Sequence, residues 1–412
     1  LTYIRKSVHE LRLGMYVAEL DRSWLESPFL FQGFVLEREE DIRTLTDLCR
    51  YVHVDPERST IPITESNSRP APSAGTKAFT TNPSNTSGPK DTQALLHATA
   101  EVKDKRIQTH DYLLNLFDDI RLGHTVDSEE VKERVKGVVE TITRFPNVAI
   151  WLTQMKNRDE YTSLHCLNVC VLTVAFCHHL GYSQSDLETI AIGALLHDIG
   201  KAKIPDAVLN KPGALSDDEW RVMKQHPEIG HQLMAKSGGI PDVALHIILG
   251  HHRRITGAGY PDKFPSRELD TPILASAIAD VYDAMTSDRP YHRGLAADRV
   301  LRDMQKSAKQ TFGSDLMDAF IRCVGIFPVG SAVELGNGFI GMVISPGRKA
   351  KLLPQVVLFR DAKGIPLAQQ QLVDLSLAAA KDPGGNWHIH RVVEPALHQI
   401  SQRELTLGNV NP

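Results

Sequence analysis

A chain of 412 residues is longer than one hydrophobic core usually organises, so two or three domains are expected. With 42% hydrophobic and 23% charged residues and a net charge of −4, the composition is that of a water-soluble protein. It exerts no overall pull toward a nucleic acid polymer or an anionic membrane, so an anionic ligand must be held by a local site. The five cysteines, at 49, 166, 170, 177 and 323, form no closely spaced pair and read as small buried hydrophobes in a reducing compartment. No run approaches ~18 consecutive apolar residues and no basic-then-apolar leader opens the sequence. Together these features lead us to expect a cytoplasmic protein without membrane insertion.

Residues 1–63 read as a small mixed α/β domain. Tyr16-Val17-Ala18 and Phe34-Val35-Leu36 are strand-like, and Ile42, Leu45 and Leu48 recur at helical spacing between Glu39 and Leu48. Tyr51 to Val54 completes the set, with His53 expected on the strand surface. Residues 64–90 are rich in Ser, Thr, Pro, Asn and Gly. They carry too little apolar surface to offset the entropy of ordering, which predicts a flexible linker.

The texture from 91 to 327 is helical. Apolar residues at three- and four-residue spacing predict helices over 92–121 and 128–144, then 160–180, 185–200, 216–225, 241–252, 271–287 and 296–309. Ser216-Asp217-Asp218-Glu219 has the form of a capping box, so a helix should begin there and carry His226 near its far end, before Pro227 breaks or restarts it. Past Phe327-Pro328 the pattern changes. Ala332 to Leu335, Ile340 to Ile344 and Gln355 to Phe359 are short strands between Gly, Asn and Pro turns, and Trp387 to His390 alternates like one more, its histidines facing solvent. Residues 328–412 thus read as a small β appendage.

Three apolar helices share an unusual ending. Ile190 to Leu196 runs into His197-Asp198, Val243 to Leu249 into His251-His252, and Ile273 to Ala279 into Asp280. Buried imidazoles and carboxylates cost several kcal/mol (about 2–7 for a neutral polar group) unless satisfied, and a divalent metal satisfies both kinds at once. His165 lies in another apolar helix and His226 before Pro227. The remaining histidines read differently. His231 and His246 point away from His226 and His251, His178 and His179 sit at a helix C-terminus, and His97, His110 and His124 lie on polar helices.

The string HDIGK (197–201), then His226-Pro227, then His251-His252 followed by Gly257 to Pro261, then residues 278–291 ending in Asp288-Arg289-Pro290-Tyr291, resembles the HD-GYP family. Its members belong to the wider HD phosphohydrolases and hydrolyse the bacterial messenger cyclic di-GMP. The resemblance covers roughly residues 150–325. Residues 10–17 and 21–24 are similar to a small accessory domain of unassigned function that often precedes HD-GYP domains. The implied architecture is mainly α, an HD-type helical bundle preceded by a small mixed α/β domain and followed by the β appendage.

The same resemblance implies a dinuclear site. Asp198 would bridge two divalent metals, with His165, His197 and Asp280 completing one position and His226, His251 and His252 the other. Asp198, Lys201 and Asp283 are the expected catalytic groups: Lys201 reaching the phosphate or the metal-bound water, Asp283 supporting the ligands from the Asp280 helix face. Lys201, Arg289 and Tyr260 are the expected substrate contacts, Tyr260 chiefly as loop architecture. Two metals activate a bridging water and clamp the phosphodiester for in-line displacement. A nitrogen-and-oxygen donor set favours iron or manganese, with nickel as a further candidate.

The sequence departs from the family where a third-metal glutamate is sometimes found (Tyr161 here) and in the segment after His252, where Arg253, Ile255 and Thr256 stand. Two metals are therefore expected. The leading reading is a phosphodiesterase opening cyclic di-GMP to linear pGpG and on to GMP. The alternatives are a weakly active cyclic di-GMP receptor and an HD hydrolase of another nucleotide. GGDEF-domain partners are implied at the family level, and a homodimer is one oligomeric state open to the chain.

Overall fold

The computed structural model describes residues 3–20, 34–36, 39–56, 59–63, 89–154, 161–211, 213–264, 269–287, 294–347 and 352–393. The expected linker over 64–88, the 21–24 motif and Arg289 lie outside this set. The chain forms two units, Leu1–Ser84 and Asn85–Pro412.

In the first unit, β1 (Ile4–Ser7), β2 (Tyr16–Leu20), β3 (Phe34–Val35), α1 (Glu39–Leu48) and β4 (Tyr51–Asp55) build an antiparallel sheet in the order β1-β4-β2-β3. Alternation puts Val52 and Val54 of β4 inward with Val17, and α1 adds the fully buried Leu45. β1 was not legible, since Ile4 is its one apolar residue; it is held by pairing Ile4 with Val54. His53 is half-buried with its ring edge-on to Tyr51 at 5.7 Å, a correction to the surface position expected of it.

The second unit is mainly helical. It comprises α2 (Pro89–Leu122), α3 (Ser128–Arg144), α4 (Pro146–Thr153), α5 (Tyr161–His179), α6 (Gln184–Leu195), a 3₁₀ turn over Ile199–Lys203, α7 (Asp206–Leu209), α8 (Asp217–Met223), α9 (His226–Ser237), α10 (Asp242–Gly250), α11 (Thr271–Thr286), α12 (Ala297–Thr311) and α13 (Ser314–Val324). Residues 89 and 90, expected in the linker, are the first of α2. The central element is α5, apolar nearly all round, with Leu167, Val169, Leu172, Val174 and Phe176 buried. It packs against α6 and α11, and α6 in turn against α10, so the segments that carry His197-Asp198, His251-His252 and Asp280 converge. Asp280, expected at the end of an apolar helix, lies inside α11, which runs on to Thr286. All five cysteines are buried and none is joined in a disulfide.

The capping box at Ser216 forms as expected, but α8 stops at Met223 and His226 begins α9 instead of closing α8. Pro227 explains the switch: it has no N–H to donate into a preceding helix and fits the first turn of a new one.

Beyond α13, β5 (Ala332–Leu335), β6 (Ile340–Ser345), β7 (Gln355–Arg360), β8 (Pro366–Asp374), α14 (Leu375–Lys381) and β9 (Ile389–Val392) form an antiparallel sheet in the order β8-β7-β6-β5-β9. The sheet is seated on α4, where Trp151 Nε1 donates to Met342 Sδ at 3.2 Å and Asn147 Nδ2 to Ser345 Oγ at 2.9 Å. The last strand starts at Ile389, two residues later than expected, and His388 and His390 are half-buried, not solvent-facing. Among the described residues no helix is long and apolar enough to cross a membrane.

Candidate metal centre

Three of the histidines are held by one device. His197 Nδ1 lies 2.8 Å from the carbonyl oxygen of Ala194, His226 Nδ1 2.9 Å from that of Met223, and His251 Nδ1 2.9 Å from that of Ile248. A carbonyl only accepts, so each Nδ1 carries the proton and each Nε2 presents a lone pair. Those lone pairs converge. His226 Nε2 and His251 Nε2 are 3.3 Å apart, and His197 Nε2 is buried without a hydrogen-bond partner. Asp198, 1% exposed, sits between them, with Oδ1 at 3.2 Å from His226 Nε2 and 3.9 Å from His251 Nε2, and Oδ2 at 3.4 Å from His197 Nε2.

Inward-facing lone pairs and a buried carboxylate call for a cation. The potential donor atoms fall into two groups: Asp198, His226, His251 and His252, and His165, His197 and Asp280. These seven residues make a His/Asp cluster suited to two metal ions. Cys166 also lies within ligand distance of His197 and Asp198, but burial and then the Asp198 charge push its thiol well above the usual range, so it stays protonated near neutral pH.

His165 is held differently. Its Nδ1 lies 2.7 Å from Asp283 Oδ2 and its Nε2 3.1 Å from Asp280 Oδ1, an imidazole between two carboxylates. Burial opposes its charge, but the hydrogen bonds to Asp280 and Asp283 outweigh burial and raise it to about 9. Asp283 is the anchor. Besides His165 it accepts from Asn168 Nδ2 at 3.0 Å and Ser287 Oγ at 3.3 Å, all within the core. Asn168 was missed in the sequence, although an amide three residues after His165 on an otherwise apolar helix is a readable signal.

The remaining expected residues are placed as follows. Lys201, on the 3₁₀ turn, reaches Asp198 Oδ2 with Nζ at 2.5 Å, and its side chain is 21% exposed. Burial raises the carboxyl's cost of ionisation, yet Lys201 and His197 hold Asp198 well below the ordinary carboxylate range. Asp280 is likewise held low, burial being outweighed by His165 and the neighbouring imidazoles. Desolvation lowers His252 to about 3, with Asp280 only partly opposing, and the same effect holds His251 neutral. Tyr260 stacks on His252 with ring centroids 4.5 Å apart at 33°.

Two glycines make the packing possible. A Cβ on Gly200 would lie 2.0 Å from the His226 carbonyl oxygen, so the HDIGK turn can approach the start of α9 only through a glycine. Gly259 has φ +87° and a Cβ there would lie 2.0 Å from the His252 carbonyl oxygen, which explains the glycine before Tyr260. Arg253 and Arg254 are absorbed locally, Arg253 Nη1 donating to the Pro261 carbonyl at 2.9 Å and Arg254 Nη1 to those of His251 and Arg253.

A mainly α bundle that gathers a His-Asp pair and further histidines into such a cluster defines an HD-type phosphohydrolase. Residues 149–316 match the HD domain, and residues 3–131 match a domain of unknown function (DUF3391). A cyclic di-GMP phosphodiesterase of Pseudomonas aeruginosa is 31% identical over 401 residues, which cover 95% of this chain and 94% of that protein. The cyclic di-GMP phosphodiesterase response regulator RpfG of Xanthomonas campestris is 35% identical over 194 residues, 47% of this chain and 49% of its own. A cyclic di-GMP phosphodiesterase of Thermotoga maritima is 35% identical over 166 residues, 40% of this chain and 45% of its own. The chain belongs to the HD-GYP family of HD-superfamily phosphohydrolases.

Proposed function

We propose that this protein is a metal-dependent phosphodiesterase that opens cyclic di-GMP to linear pGpG and carries it on to GMP. The observation that carries the metal-dependent part is the set of imidazoles whose Nδ1 protons are committed to backbone carbonyls, leaving Nε2 lone pairs aimed at one another. The substrate rests on the resemblance to the P. aeruginosa enzyme along nearly the whole of both chains.

In this reading Asp198 is shared by the two positions, His165, His197 and Asp280 hold one ion, and His226, His251 and His252 hold the other. Bound divalent ions supply Lewis acidity and lower the pKa of water. The protein's own groups do the rest. Asp283 fixes the His165 ring through Nδ1, so that Nε2 faces the cluster. Lys201 neutralises Asp198 in the metal-free protein and, released from it, offers its ammonium to a phosphate oxygen. Tyr260 closes one side of the site over His252, and Arg289 supplies a second cation to the phosphate. The mixed nitrogen and oxygen donors suit iron or manganese, with nickel next.

The domain reading that goes with this function is an accessory domain over 1–63, a linker over 64–88, the catalytic domain over 89–327 and a β-rich extension over 328–412. A cytoplasmic setting, GGDEF-domain partners and a homodimer complete the proposal. The test is cyclic di-GMP turnover by anaerobically prepared protein reloaded with Fe²⁺ or Mn²⁺, beside Asp198→Ala. Linear product from the unaltered protein alone supports the enzyme and ranks the metals. Tight binding without product under any metal would replace it with the receptor reading, and neither binding nor turnover would point to another nucleotide.

A further inference from the structure

α8 buries no residue, yet it carries Trp220, which is 45% exposed. The other two described tryptophans, Trp151 and Trp387, are 1% and 6% exposed, so this chain otherwise keeps indoles inside. Trp220 is also the one aromatic among the large exposed hydrophobics of the described residues. Its position is specific. Its ring stands edge-on to Tyr260, centroids 6.1 Å apart at 80°, and Tyr260 in turn lies on His252 of the metal cluster. Tyr260 lies on His252, and the indole meets Tyr260 at 80° with 45% of the residue's surface open to solvent.

The backbone beneath Trp220 is pinned. Glu219, its immediate neighbour, accepts from the Ser216 N–H at 2.7 Å and from Lys211 Nζ at 2.6 Å, and its own N–H donates to Ser216 Oγ at 3.3 Å. An indole on a fixed turn, one ring away from a metal-ligating imidazole, has the placement of a stacking platform and not of a core side chain. A cyclic dinucleotide whose diester meets the cluster carries a purine one ribose away from that diester.

We infer that Trp220, set against Tyr260, is the wall on which a guanine base of the cyclic dinucleotide stacks, and that it contributes substrate affinity without touching the metals. This rests on the cyclic di-GMP reading proposed above. Base–aromatic stacking predicts that loss of the ring weakens binding about 5- to 150-fold.

The experiment measures binding of a non-hydrolysable phosphorothioate analogue of cyclic di-GMP to the full-length, metal-loaded protein, by calorimetry and by tryptophan emission, for the unaltered chain, Trp220→Phe and Trp220→Ala. The expected result is quenching in the unaltered protein that disappears in both variants. Affinity should be retained within about threefold in Trp220→Phe and lost about 5- to 150-fold in Trp220→Ala, with metal content unchanged. Equal affinity in Trp220→Ala overturns the inference and leaves the substrate reading standing. Loss of affinity together with loss of metal also overturns it, since the role would then be structural. Absence of binding by the unaltered protein removes the substrate reading, and this inference with it.

Discussion

Asp283 meets the cluster through His165, whose ring it holds from behind. Three donors converge on its carboxylate: His165 Nδ1 at 2.7 Å, Asn168 Nδ2 at 3.0 Å and Ser287 Oγ at 3.3 Å. In Asp283→Asn the amide oxygen can keep the His165 bond, and Asn168 can turn its own Oδ1, buried without a partner, toward the new NH₂. The fold should therefore survive with a loss of about 1 kcal/mol. The anionic support behind His165 is gone, however, and removing such an outer partner typically weakens metal binding about 10- to 100-fold, equivalent to about 1.4–2.7 kcal/mol. Asp283→Ala differs in kind. It strands the donors in the core and should destabilise the protein by about 3 kcal/mol or more. The assay is chelator competition for Mn²⁺ beside thermal melts of the metal-free proteins. Unchanged metal affinity in Asp283→Asn, with the fold intact, would refute the argument that His165 is oriented from behind.

Further expectations concern charge, space and protons. Lys201→Met should leave metal content unchanged and reduce cyclic di-GMP turnover about 100- to 1000-fold, the usual effect of removing one electrostatic stabiliser; a parallel loss of metal by elemental analysis would instead assign the lysine to holding Asp198. Gly200→Ala forces a methyl into the His226 carbonyl, and should lower stability by about 1–3 kcal/mol and impair metal binding at the His226 position. His165, raised to about 9 by its two carboxylates, is charged at neutral pH in the metal-free protein and must release its Nε2 proton to bind a metal. Metal affinity should therefore climb between pH 7 and 9, by about tenfold per unit from this group, while His251 and His252, already neutral, add nothing to the slope. The linkage runs the other way for metal-free stability: a raised imidazole stabilises fully below its unfolded pKa of about 6.5, and that contribution fades as pH rises through about 9. A flat pH profile in calorimetric metal titrations and in melts would remove His165 from this role.

Much of the helical part was legible because its signals are local. The borders of α3 match the expected 128–144, and the Ser216 capping box set the start of α8. The same locality misled at His226, where the apolar pattern of α8 was carried too far, whereas Pro227, expected to break or restart the helix, does stand in the first turn of a new one. α4 escaped notice because six of its eight residues, 148–153, form an unbroken buried run that shows no period. β8 escaped because its first half, Pro366 to Gln369, is largely exposed and opens on a proline, without the alternation of a half-buried strand. All seven expected ligands meet in one cluster, since each is a polar residue at a place where only apolar ones would otherwise fit. Ser287 was hidden by being one layer further out, where a side chain is recognised by its partner across the core and not by its neighbours in sequence.

Each of His197, His226 and His251 is tied by Nδ1 to a carbonyl three residues earlier in its own chain segment. A ring so tethered cannot swing to follow a displaced neighbour. The spacing of donor atoms is therefore the spacing of the ends of α6, α9 and α10, and a slide of one segment end past another passes undiminished into the bite presented to the ions. The centre works in effect as a strain gauge for the bundle: a force that shifts these segments, from whatever source, registers first as a change in metal affinity, well before the fold itself yields.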